Sequence, residues 1–532
     1  FLNSTYRGIA ASLIYDMIKM SNSHQSIQNN FLLIINAITS NLLTNQDSES
    51  ILIILDIITS SFPYLKINII QSIFQSKLIE KIAQIAILST VYYKKFLFFL
   101  TEMGINHYEF IEWYSCNNKL QNTLKLYNSE EFPYNEILEF SFCSNSIKEL
   151  KEQYIRNYAG IDLLLSLIPN YPDKEEEISH ILSKLSENDG NLIELKQAKL
   201  PEFILSRLKS IQNNQNLREL YFQLFSKITF VIFDSINFYH TIELLKNPEF
   251  EFPTEILSIL NKHLEFYSKN QFNKPTSFFR FDRSQDCGIF GPSLKLSSTF
   301  SIFFGIRINE FNYQKGNPLL YLDFGKNQIS FCFEEGKLYV SDTRKSNKKY
   351  FFDYQFEQSI WYDLIISFEK TLVTQRINLY INSHKESIDI PNLSFLNVMN
   401  ADCYVTFCSM PNMPSLICDL STIMIFDQID VNLLLTKSDL SQLACCIYDP
   451  SDSSSDGQIF HINKINSNVS YKGKTCPFIS TIKNVVQNVG AITNFLPLFD
   501  RLSLDFQGKN FEIENGYEYL KVLLSIFTKM VN

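Results

Sequence analysis

Three acidic residues lie near the ends of predicted strands, where a β-sandwich can hold a metal ion. Asp282, Asp286 and Asp323 offer the carboxylate oxygens that Ca²⁺ prefers. No dense run of oxygen ligands surrounds any of them. Turn capping and solvation of loop acids are therefore the favoured interpretation, and Ca²⁺ binding is the alternative.

Two further pairs of residues have side chains that could bind a metal ion or hydrolyse a sugar, but their spacing in the chain argues against both. Cys403 and Cys408 are five positions apart in a predicted strand, so their side chains should point to opposite faces and cannot bind one metal ion. Glu334 and Glu335 are adjacent, so they cannot face each other across a sugar as the carboxylates of a glycoside hydrolase must. We expect no metal site, and we interpret the cysteines as small buried side chains.

One cluster of basic residues lies in a predicted hairpin loop: Arg344, Lys345, Lys348 and Lys349. Basic clusters of this kind can contact anionic lipid headgroups at a membrane surface. A solvated turn is the commoner role of such a loop, so lipid contact is the alternative here.

Trp361 is a candidate for stacking on a sugar ring. Its strand also carries Leu364 and Ile366, which favours a place for Trp361 in the core of the sandwich.

Signatures of catalysis are absent from the sequence. It contains no G-x-x-x-x-G-K-[ST], no G-x-S-x-G and no H-E-x-x-H motif, and its seven histidines are scattered. We therefore predict no catalytic residue and no cofactor.

Composition narrows the classes of protein further. With 532 residues the chain should form two to four domains, and 45% apolar against 19% charged residues argues against disorder. A net charge of −9 disfavours nucleic acid as a partner. Ten cysteines without a dense framework predict reduced thiols and a cytoplasmic location, with peripheral membrane attachment as a further candidate. The chain begins with Phe1, which favours a piece of a longer protein, and no stretch has the roughly 18 apolar residues of a transmembrane helix.

Apolar residues recur at helical spacing from residue 30 to about residue 269. Ile51, Ile54 and Ile58, for example, share one helix face. Prolines separate successive segments, as expected near helix starts. Many helices in series predict a bundle or an α-solenoid, and the lack of a clear period would make the solenoid irregular.

A local similarity favours the solenoid. Gly160 and Gly490 each open a nearly continuous apolar stretch, at 160–169 and 490–499. A glycine before a buried helix suits the tight turn of an armadillo-like repeat, because it lets two backbones approach closely.

From about residue 274 the apolar period changes from 3.6 to 2. Phe300, Ile302, Phe304 and Ile306 fall on one face of a strand. Similar runs follow at 318–323, 328–333, 337–341, 348–353, 361–368, 374–382, 402–408 and 417–426. Short strands in series without helical crossovers predict an antiparallel sandwich or barrel.

These patterns divide the chain into four segments. Residues 1–272 are predicted as an armadillo-like helical region and 273–432 as a β-sandwich. Residues 433–475 contain a Ser/Asp-rich run and are predicted as a linker, and 476–532 as the start of further armadillo-like helices. The predicted fold class is a multidomain α and β protein, in which an antiparallel sandwich interrupts a solenoid.

Motifs in the sandwich region resemble a known family. The strings SFFRFDRSQDCGIF at 277–290 and FSIFFGIRI at 300–308 resemble the opening strands of the concanavalin A-like domain in neurobeachin-type BEACH proteins. The segments 361–366, 376–382 and 423–427 are similar to later strands of that domain.

The chain after the sandwich extends the resemblance. Residues 447–450 resemble a Tyr-x-Pro stretch of the family, and 486–502 resembles the helix that restarts its armadillo-like region. The chain departs from the family pattern at Ser383 and Ala491, where glycine is usual. The resemblance covers about 274–532 and implies a concanavalin A-like jelly roll.

The resemblance implies a function without chemistry. Proteins of this family are large cytoplasmic scaffolds in vesicle traffic and membrane organisation, but the PH-like and BEACH modules that define them are not in these 532 residues. We expect a non-catalytic scaffold region that binds other proteins, with an anionic membrane surface as a further candidate partner. The alternative is a carbohydrate-binding lectin-like module.

Overall fold

A computed structural model gives the fold of the chain. It describes 78–269 with gaps at 146, 148, 212–213 and 248, and 275–428 with gaps at 276, 282–286, 298, 312–315, 326–327, 343–345, 371–374, 383, 391–400 and 412. It also describes 440–452, 469–476, 495–499 and 513–531, and the single positions 55, 56, 59, 73, 74, 482 and 485. Two compact units result: Phe1–Glu187 with Asn191–Ile228, and Asn188–Gly190 with Thr229–Asn532.

The first unit is helical, as the apolar period predicts. Its described helices, two of which run past the unit boundary, are α1 (Leu78–Ala86), α2 (Thr90–Asn106), α3 (Tyr108–Cys116), α4 (Asn118–Leu124), α5 (Tyr134–Phe142), α6 (Tyr158–Leu167), α7 (Glu175–Leu185), α8 (Asp189–Gln197), α9 (Leu200–Leu208) and α10 (Gln215–Val231). Local sequence explains several helix starts. The Asn117 side chain accepts a hydrogen bond from the Leu120 amide at 3.0 Å before α4, and Pro201 lies in the first turn of α9. Helix α7 begins at Glu175 with three acidic residues, which the positive end of the helix dipole favours.

Contacts between helices of the first unit recur at a nearly constant separation along the chain. Residues up to 43 positions apart meet in hydrogen bonds or ion pairs: Asp56 with Lys95, Glu80 with Lys119, Lys125 with Asp162, the Ser129 carbonyl with the Tyr171 hydroxyl, and Tyr134 with Glu177. Buried aromatic pairs have the same spacing, since the Phe132 and Tyr171 rings stack with centroids 4.5 Å apart. Each helical segment thus contacts the segment roughly 40 residues further on.

Gly160 of α6 packs directly against α5. A Cβ atom at Gly160 would lie 2.5 Å from Ser141 Oγ and 3.0 Å from Ser141 Cα. The amides of Arg156 and Asn157 also donate to the Ser141 carbonyl, at 3.0 and 2.9 Å. This is the close backbone approach predicted for Gly160, whereas Gly490 lies outside the described residues.

The second unit contains helices α11 (Ser235–Lys246), α12 (Pro253–Lys269) and α13 (Ile513–Val531). Lys529 of α13 lies with Nζ 2.8 Å from Asn261 Oδ1 and 3.2 Å from Glu265 Oε2, both on α12. Helix α12 is the last described helix before the predicted change of period at about residue 274, and the compact units divide after Ile228, before α11. Among the helices that the structure describes, none has the length and apolar character to cross a membrane.

The same unit contains the predicted antiparallel β-sandwich. Its described strands are β1 (Phe278–Phe281), β2 (Gly288–Leu296), β3 (Phe300–Glu310), β4 (Asn317–Asp323), β5 (Gln328–Glu334), β6 (Lys337–Asp342), β7 (Ser346–Gln355), β8 (Trp361–Lys370), β9 (Gln375–Ile381), β10 (His384–Ile390), β11 (Ala401–Phe407), β12 (Ile417–Leu420), β13 (Ile423–Asp427), β14 (Cys446–Tyr448), β15 (Ser470–Lys472) and β16 (Lys474–Cys476). In the described part of the chain, nine strands form one sheet in the order β10-β9-β8-β3-β12-β1-β16, with β13 on β3 and β14 on β13. Seven form the other, in the order β15-β2-β11-β4-β5-β6-β7.

Alternating apolar side chains from the two sheets form the sandwich core. Phe304 of the nine-stranded sheet meets Phe407 of the seven-stranded sheet with ring centroids 5.7 Å apart. Phe331 and Phe368 meet across the same space at 5.9 Å. Edge-to-face ring pairs of this kind stabilise a core beyond the burial of their area. The period-2 pattern therefore predicts the sandwich correctly.

The predicted linker at 433–475 needs a correction. Strand β14 pairs with β13, β15 with β2, and β16 with β1. Each of these strands has three residues, which is too short for an alternating pattern to show in the sequence. The sandwich therefore extends to Cys476, and the Ser/Asp-rich stretch 453–460 lies outside the described residues.

Candidate functional site

The outward face of the nine-stranded sheet is covered. Ile365 of β8 and Phe426 of β13 point away from the sandwich core, yet both are buried. Leu440, Leu443 and Ala444 pack against them. This part of the sheet is closed to a ligand.

A cluster of three charged side chains lies on the same face. Asp419 of β12 stands between Arg280 of β1 and Arg307 of β3 in the strand register. Arg280 Nε donates to Asp419 Oδ1 at 2.9 Å, and Arg307 Nη2 donates to Oδ2 at 2.6 Å. All three side chains are at most 3% exposed. Burial acts to raise the pKa of Asp419, but the two guanidinium groups outweigh it and hold the pKa below its usual value. The cluster binds three strands together and is closed to solvent.

The outward face of the seven-stranded sheet is exposed. Tyr404 of β11 is 57% exposed and Phe351 of β7 is 44% exposed. The neighbours of Tyr404 in β11, Cys403 and Val405, point into the core, so the alternation of the strand turns Tyr404 outward. Tyr339 of β6 lies beside Phe351 with ring centroids 5.3 Å apart. We call the outward surface of β11, β4, β5, β6 and β7 the open face.

Hydroxyl groups form a row across the open face. The strand register aligns Thr406, Tyr321, Ser330 and Ser341 on β11, β4, β5 and β6. Ser330 is buried, and its Oγ lies 2.7 Å from Ser341 Oγ. Thr406 and Ser341 are partly exposed. The row presents hydroxyl groups in positions that the strands fix.

A carboxylate and an amide lie beside the exposed ring of Tyr404. Asp323 is the cross-strand partner of both Tyr404 and Gln328. Its Oδ2 accepts a hydrogen bond from Gln328 Nε2 at 2.9 Å, and its Oδ1 accepts one from the Gly325 amide at 2.8 Å. These bonds fix both side chains on the open face.

An ion pair borders the other side of the open face. Lys349 Nζ lies 2.7 and 2.8 Å from the two carboxylate oxygens of Glu334. The same ammonium lies 4.7 Å from the centre of the Tyr339 ring. Burial raises the pKa of the Tyr339 hydroxyl, so it stays protonated at neutral pH. Exposed rings beside a few fixed polar groups are typical of sites that bind a ligand with apolar and polar surfaces.

The predicted basic cluster is only partly described. Lys349 is ion-paired with Glu334, and Lys348 Nζ lies 5.1 Å from the Tyr350 ring. Arg344 and Lys345 lie outside the described residues. Contact of the four with anionic lipid stays a prediction.

The acidic candidates do not form a metal site in the described part of the chain. Asp323 caps a turn through the Gly325 amide, which agrees with the favoured interpretation. Asp282 and Asp286 lie outside the described residues. Where side chains are described, no group of three or more His, Cys, Asp or Glu residues converges on a point that could hold a metal ion.

The prediction that Cys403 and Cys408 point to opposite faces is wrong. Both side chains are buried in the sandwich core. Cys408 follows the last residue of β11 and has a left-handed φ of +60°, which turns its side chain inward where a continuing strand would have turned it out. Their interpretation as small buried side chains is confirmed.

The prediction that Trp361 lies in the sandwich core is also wrong. Tyr362, Leu364 and Ile366 point into the core, so Trp361 points the other way. Its ring contacts Phe278, with centroids 5.7 Å apart, and lies 5.1 Å from the Arg307 guanidinium carbon. Trp361 therefore borders the buried ion cluster.

Sequence reasoning missed the open face. Tyr404 and Phe351 occupy outward positions of predicted strands, where an aromatic residue alternates with core residues. That alternation was a usable signal, because outward positions of a solvated sheet face normally carry small polar or charged side chains. Aromatic residues there depart from the pattern.

Similarity to known proteins is limited to part of the chain, at most 38% of it in the three solved structures below. No protein-family model matches the chain, and no curated protein matches it. A Bacteroides ovatus protein named for a proposed carbohydrate-binding role is 13% identical over 38% of this chain and 59% of its own length, with a TM-score of 0.29. A heptameric SAP-like pentraxin from Limulus polyphemus is 11% identical over 38% of this chain and 97% of its own, with a TM-score of 0.25. Mouse laminin alpha1 domains LG4-5 are 13% identical over 30% of this chain and 43% of theirs, with a TM-score of 0.23. At these scores, none of the three bears on what this chain binds.

Proposed function

We propose that the β-sandwich binds a carbohydrate on the open face. The observation that carries the proposal is the contrast between the two outward faces. One is covered by Leu440 and Leu443, whereas the other exposes the rings of Tyr404 and Phe351 beside fixed polar groups. Large apolar side chains that stay exposed on one surface mark interaction sites more often than single scattered ones do.

The chemistry of the open face suits a sugar. A pyranose ring has apolar C–H faces and a rim of hydroxyl groups. The rings of Tyr404 and Phe351 would stack on the C–H faces. Asp323 would accept hydrogen bonds from the sugar hydroxyl groups, and Gln328 would donate to them. The partly exposed hydroxyl groups of Thr406 and Ser341 could do both. Strands carry all of these groups, so the site is formed before the ligand arrives.

The proposal is tested with a glycan array followed by calorimetry on the best ligand. Tyr404→Ala and Phe351→Ala should each weaken binding by about twofold to tenfold, since one aromatic contact contributes roughly 0.5–1.5 kcal/mol. Tyr239→Ala is the matched control, because Tyr239 is 61% exposed and lies on helix α11, outside the open face. Circular dichroism establishes that all three variants fold alike.

Two outcomes would contradict the proposal. One is that the intact chain binds no glycan on the array. The other is that Tyr404→Ala and Tyr239→Ala bind the best ligand with the same affinity.

We propose further that this site binds its ligand without cleaving it. Two carboxylates of the open face are already engaged, Glu334 by Lys349 and Asp323 by Gln328. The exposed carboxylates of Asp402 and Asp353 lie on β11 and β7, four strands or about 19 Å apart, too far to act on one sugar bond. A glycosidase needs one carboxyl group to give a proton and the other to attack or to activate water. Mass spectrometry of the bound glycan after long incubation should show the intact oligosaccharide, and a shortened product would contradict this part of the proposal.

A second candidate function concerns the helical unit, which we propose to be an armadillo-like scaffold that binds other proteins. It is supported by the separation of roughly 40 residues between contacting segments, since armadillo and HEAT repeats are about 40–47 residues long. It is also supported by Val91, Phe98 and Ile105 of α2, which are exposed and seven residues apart, so they form one apolar stripe. Stacked repeats offer such stripes to extended partners.

Affinity capture with variants of the stripe tests this candidate. Phe98→Asp with Ile105→Asp should lose proteins that the unchanged chain captures from a cell extract. Leu126→Asp is the control, since Leu126 is also apolar and exposed but lies outside α2. If all three captures are identical, the stripe is not a binding surface.

The second candidate function includes two further proposals: that the chain is a member of the neurobeachin-type family, and that it is cytoplasmic. The transcript that encodes the chain would support them by encoding PH-like and BEACH modules after residue 532. A different continuation would refute the family assignment and leave the carbohydrate proposal untouched.

A further inference from the structure

Two buried thiols from different sheets lie next to each other in the sandwich core. Cys408 follows β11 of the seven-stranded sheet, and Cys418 lies in β12 of the nine-stranded sheet. Their sulfur atoms are 3.2 Å apart, and both side chains are fully buried. A disulfide bond is about 2.05 Å long, so a movement of about 1 Å would join them.

The backbone around the two thiols already holds them together. The Cys408 amide donates to the Leu319 carbonyl at 2.8 Å, and the Leu416 amide donates to the Cys408 carbonyl at 3.0 Å. Cys418 is fixed by pairing with Ile308 of β3. The turn between the cysteines is therefore closed at its base, which keeps the two thiols together.

The other cysteines are poorer candidates. Cys287 lies in the same core, but its Sγ donates to the Lys472 carbonyl at 2.9 Å. Cys445 points its Sγ at the Ile425 carbonyl at 3.1 Å, and its neighbour Cys446 is adjacent in the chain. Cys408 and Cys418 are the pair that faces sulfur to sulfur.

We propose that Cys408 and Cys418 form an inter-sheet disulfide when the chain folds in the presence of a small-molecule disulfide such as oxidised glutathione. The first thiolate attacks that disulfide, forms a mixed disulfide and releases one glutathione thiolate. The second thiol loses its proton and attacks the protein sulfur of the mixed disulfide, which releases the second glutathione. The two cysteines thus lose two protons and two electrons, and one glutathione disulfide is reduced to two thiols.

The bond forms while the chain folds and not afterwards. Burial raises the pKa of Cys418, which leaves little thiolate to react once the core has closed. The full exclusion of both sulfurs from solvent also blocks the approach of glutathione.

Cyanogen bromide cleavage gives a direct test, because Met410 and Met413 lie between the two cysteines. The full chain is refolded with oxidised and reduced glutathione, alkylated, and cleaved after methionine. Peptides 400–410 and 414–424 should then appear as one linked species that separates on reduction. Oxidant added to the already folded chain should leave them apart. The refolded chain should also melt about 5–10 °C higher than the reduced chain.

Matched variants identify the sulfurs. Cys408→Ser and Cys418→Ser should each abolish the linked species and the shift in melting temperature. Cys403→Ser, which changes the same peptide, and Cys287→Ser, which keeps a hydrogen-bond donor for Lys472, should leave both intact. Separate peptides from the refolded wild-type chain would overturn the proposal. So would a link that survives in Cys408→Ser, or a link from Cys418 to Cys287.

Discussion

The buried ion cluster predicts a large difference between two chemically identical substitutions. Asp419 accepts hydrogen bonds from Arg280 and Arg307 in a site that excludes water. Asp389 accepts two from Arg376, at 2.9 and 3.0 Å, in the same nine-stranded sheet, but that pair is about half exposed. Both aspartates pair across neighbouring strands, so they differ in burial and in the second arginine that Asp419 binds.

Asp419→Asn should destabilise the sandwich by about 3–5 kcal/mol. The substitution keeps the size of the side chain but removes its charge, so two buried guanidinium groups lose the carboxylate between them. Removing one partner of a buried ion pair typically costs this much, because the remaining charge stays desolvated. Asp389→Asn should change the unfolding free energy little, since water solvates the freed Arg376.

Tryptophan fluorescence during urea unfolding measures the difference. The chain has two tryptophans, and Trp361 borders the cluster with its ring 5.1 Å from Arg307. A Trp113→Phe background leaves Trp361 as the reporter of the sandwich. Equal midpoints for Asp419→Asn and Asp389→Asn would refute the reasoning, because burial would then have no effect on the energy of the pair.

The pH dependence gives an independent check of the same cluster. The folded pKa of Asp419 is below its unfolded value, so the unfolded chain takes up a proton first as the pH falls. The stability that the carboxylate contributes is therefore complete above the unfolded pKa of about 3.9 and is lost as the pH falls towards the folded pKa. The gap between wild type and Asp419→Asn should narrow over that acid range and stay constant from pH 5 to 8.

Three further predictions concern other parts of the chain. Gly160→Ala should destabilise the helical unit by about 1–3 kcal/mol, as measured by urea unfolding, because the added Cβ would lie 3.0 Å from Ser141 Cα. An unchanged midpoint would show that α5 and α6 can move apart without a loss of stability. Burial lowers the pKa of His263 to about 4 in the folded chain, so the unfolded chain takes up the proton first as the pH falls. The free energy of unfolding should therefore fall by on the order of 3 kcal/mol between about pH 6.5 and pH 4. His263→Gln should lose most of that dependence in acid titrations followed by circular dichroism. A fragment spanning 275–476 should melt cooperatively and at a higher temperature than a fragment spanning 275–432, because the shorter fragment lacks β14, β15 and β16. Equal melting temperatures would show that these strands do not stabilise the sandwich.

The period of the apolar residues predicts the helices and strands of this chain better than it predicts which strands pair with each other. The alternation in 300–308 and 361–368 is correctly predicted as strand, and the apolar stretch that begins at Gly160 is correctly predicted as a buried helix. Both signals are local, since each depends on neighbours within one turn or one strand. The pairing of β3 with β8, β12 and β13 joins residues far apart in the chain, and no local pattern encodes it.

Backbone geometry explains the error at Cys408. Alternation places Cys403 inward and would place Cys408 outward, and only the positive φ at the strand end reverses it. Cysteine has no strong preference for that conformation, so the sequence gives no warning of it. The closeness of Cys408 to Cys418 follows from that one residue and could not have been predicted from spacing.

The error at Trp361 has a different cause, since the sequence contains the evidence against it. Leu364 is three positions from Trp361 and Ile366 is five, so a strict alternation already places both on the opposite face. Strand β8 carries apolar side chains on both faces, as Ile365 and Ile366 show, because its outward face is covered too. Strands β5 and β11 instead place Ser330 and Tyr404 outward against an apolar inner face. Strands with apolar side chains on both faces indicate a sheet whose outer face is covered. Strands with apolar side chains on one face indicate a sheet whose other face meets solvent. An exposed aromatic residue on a strand that is apolar on one face only is therefore unexplained by packing, and this is why the loss of Tyr404, and not of Trp361, should weaken the binding of a sugar.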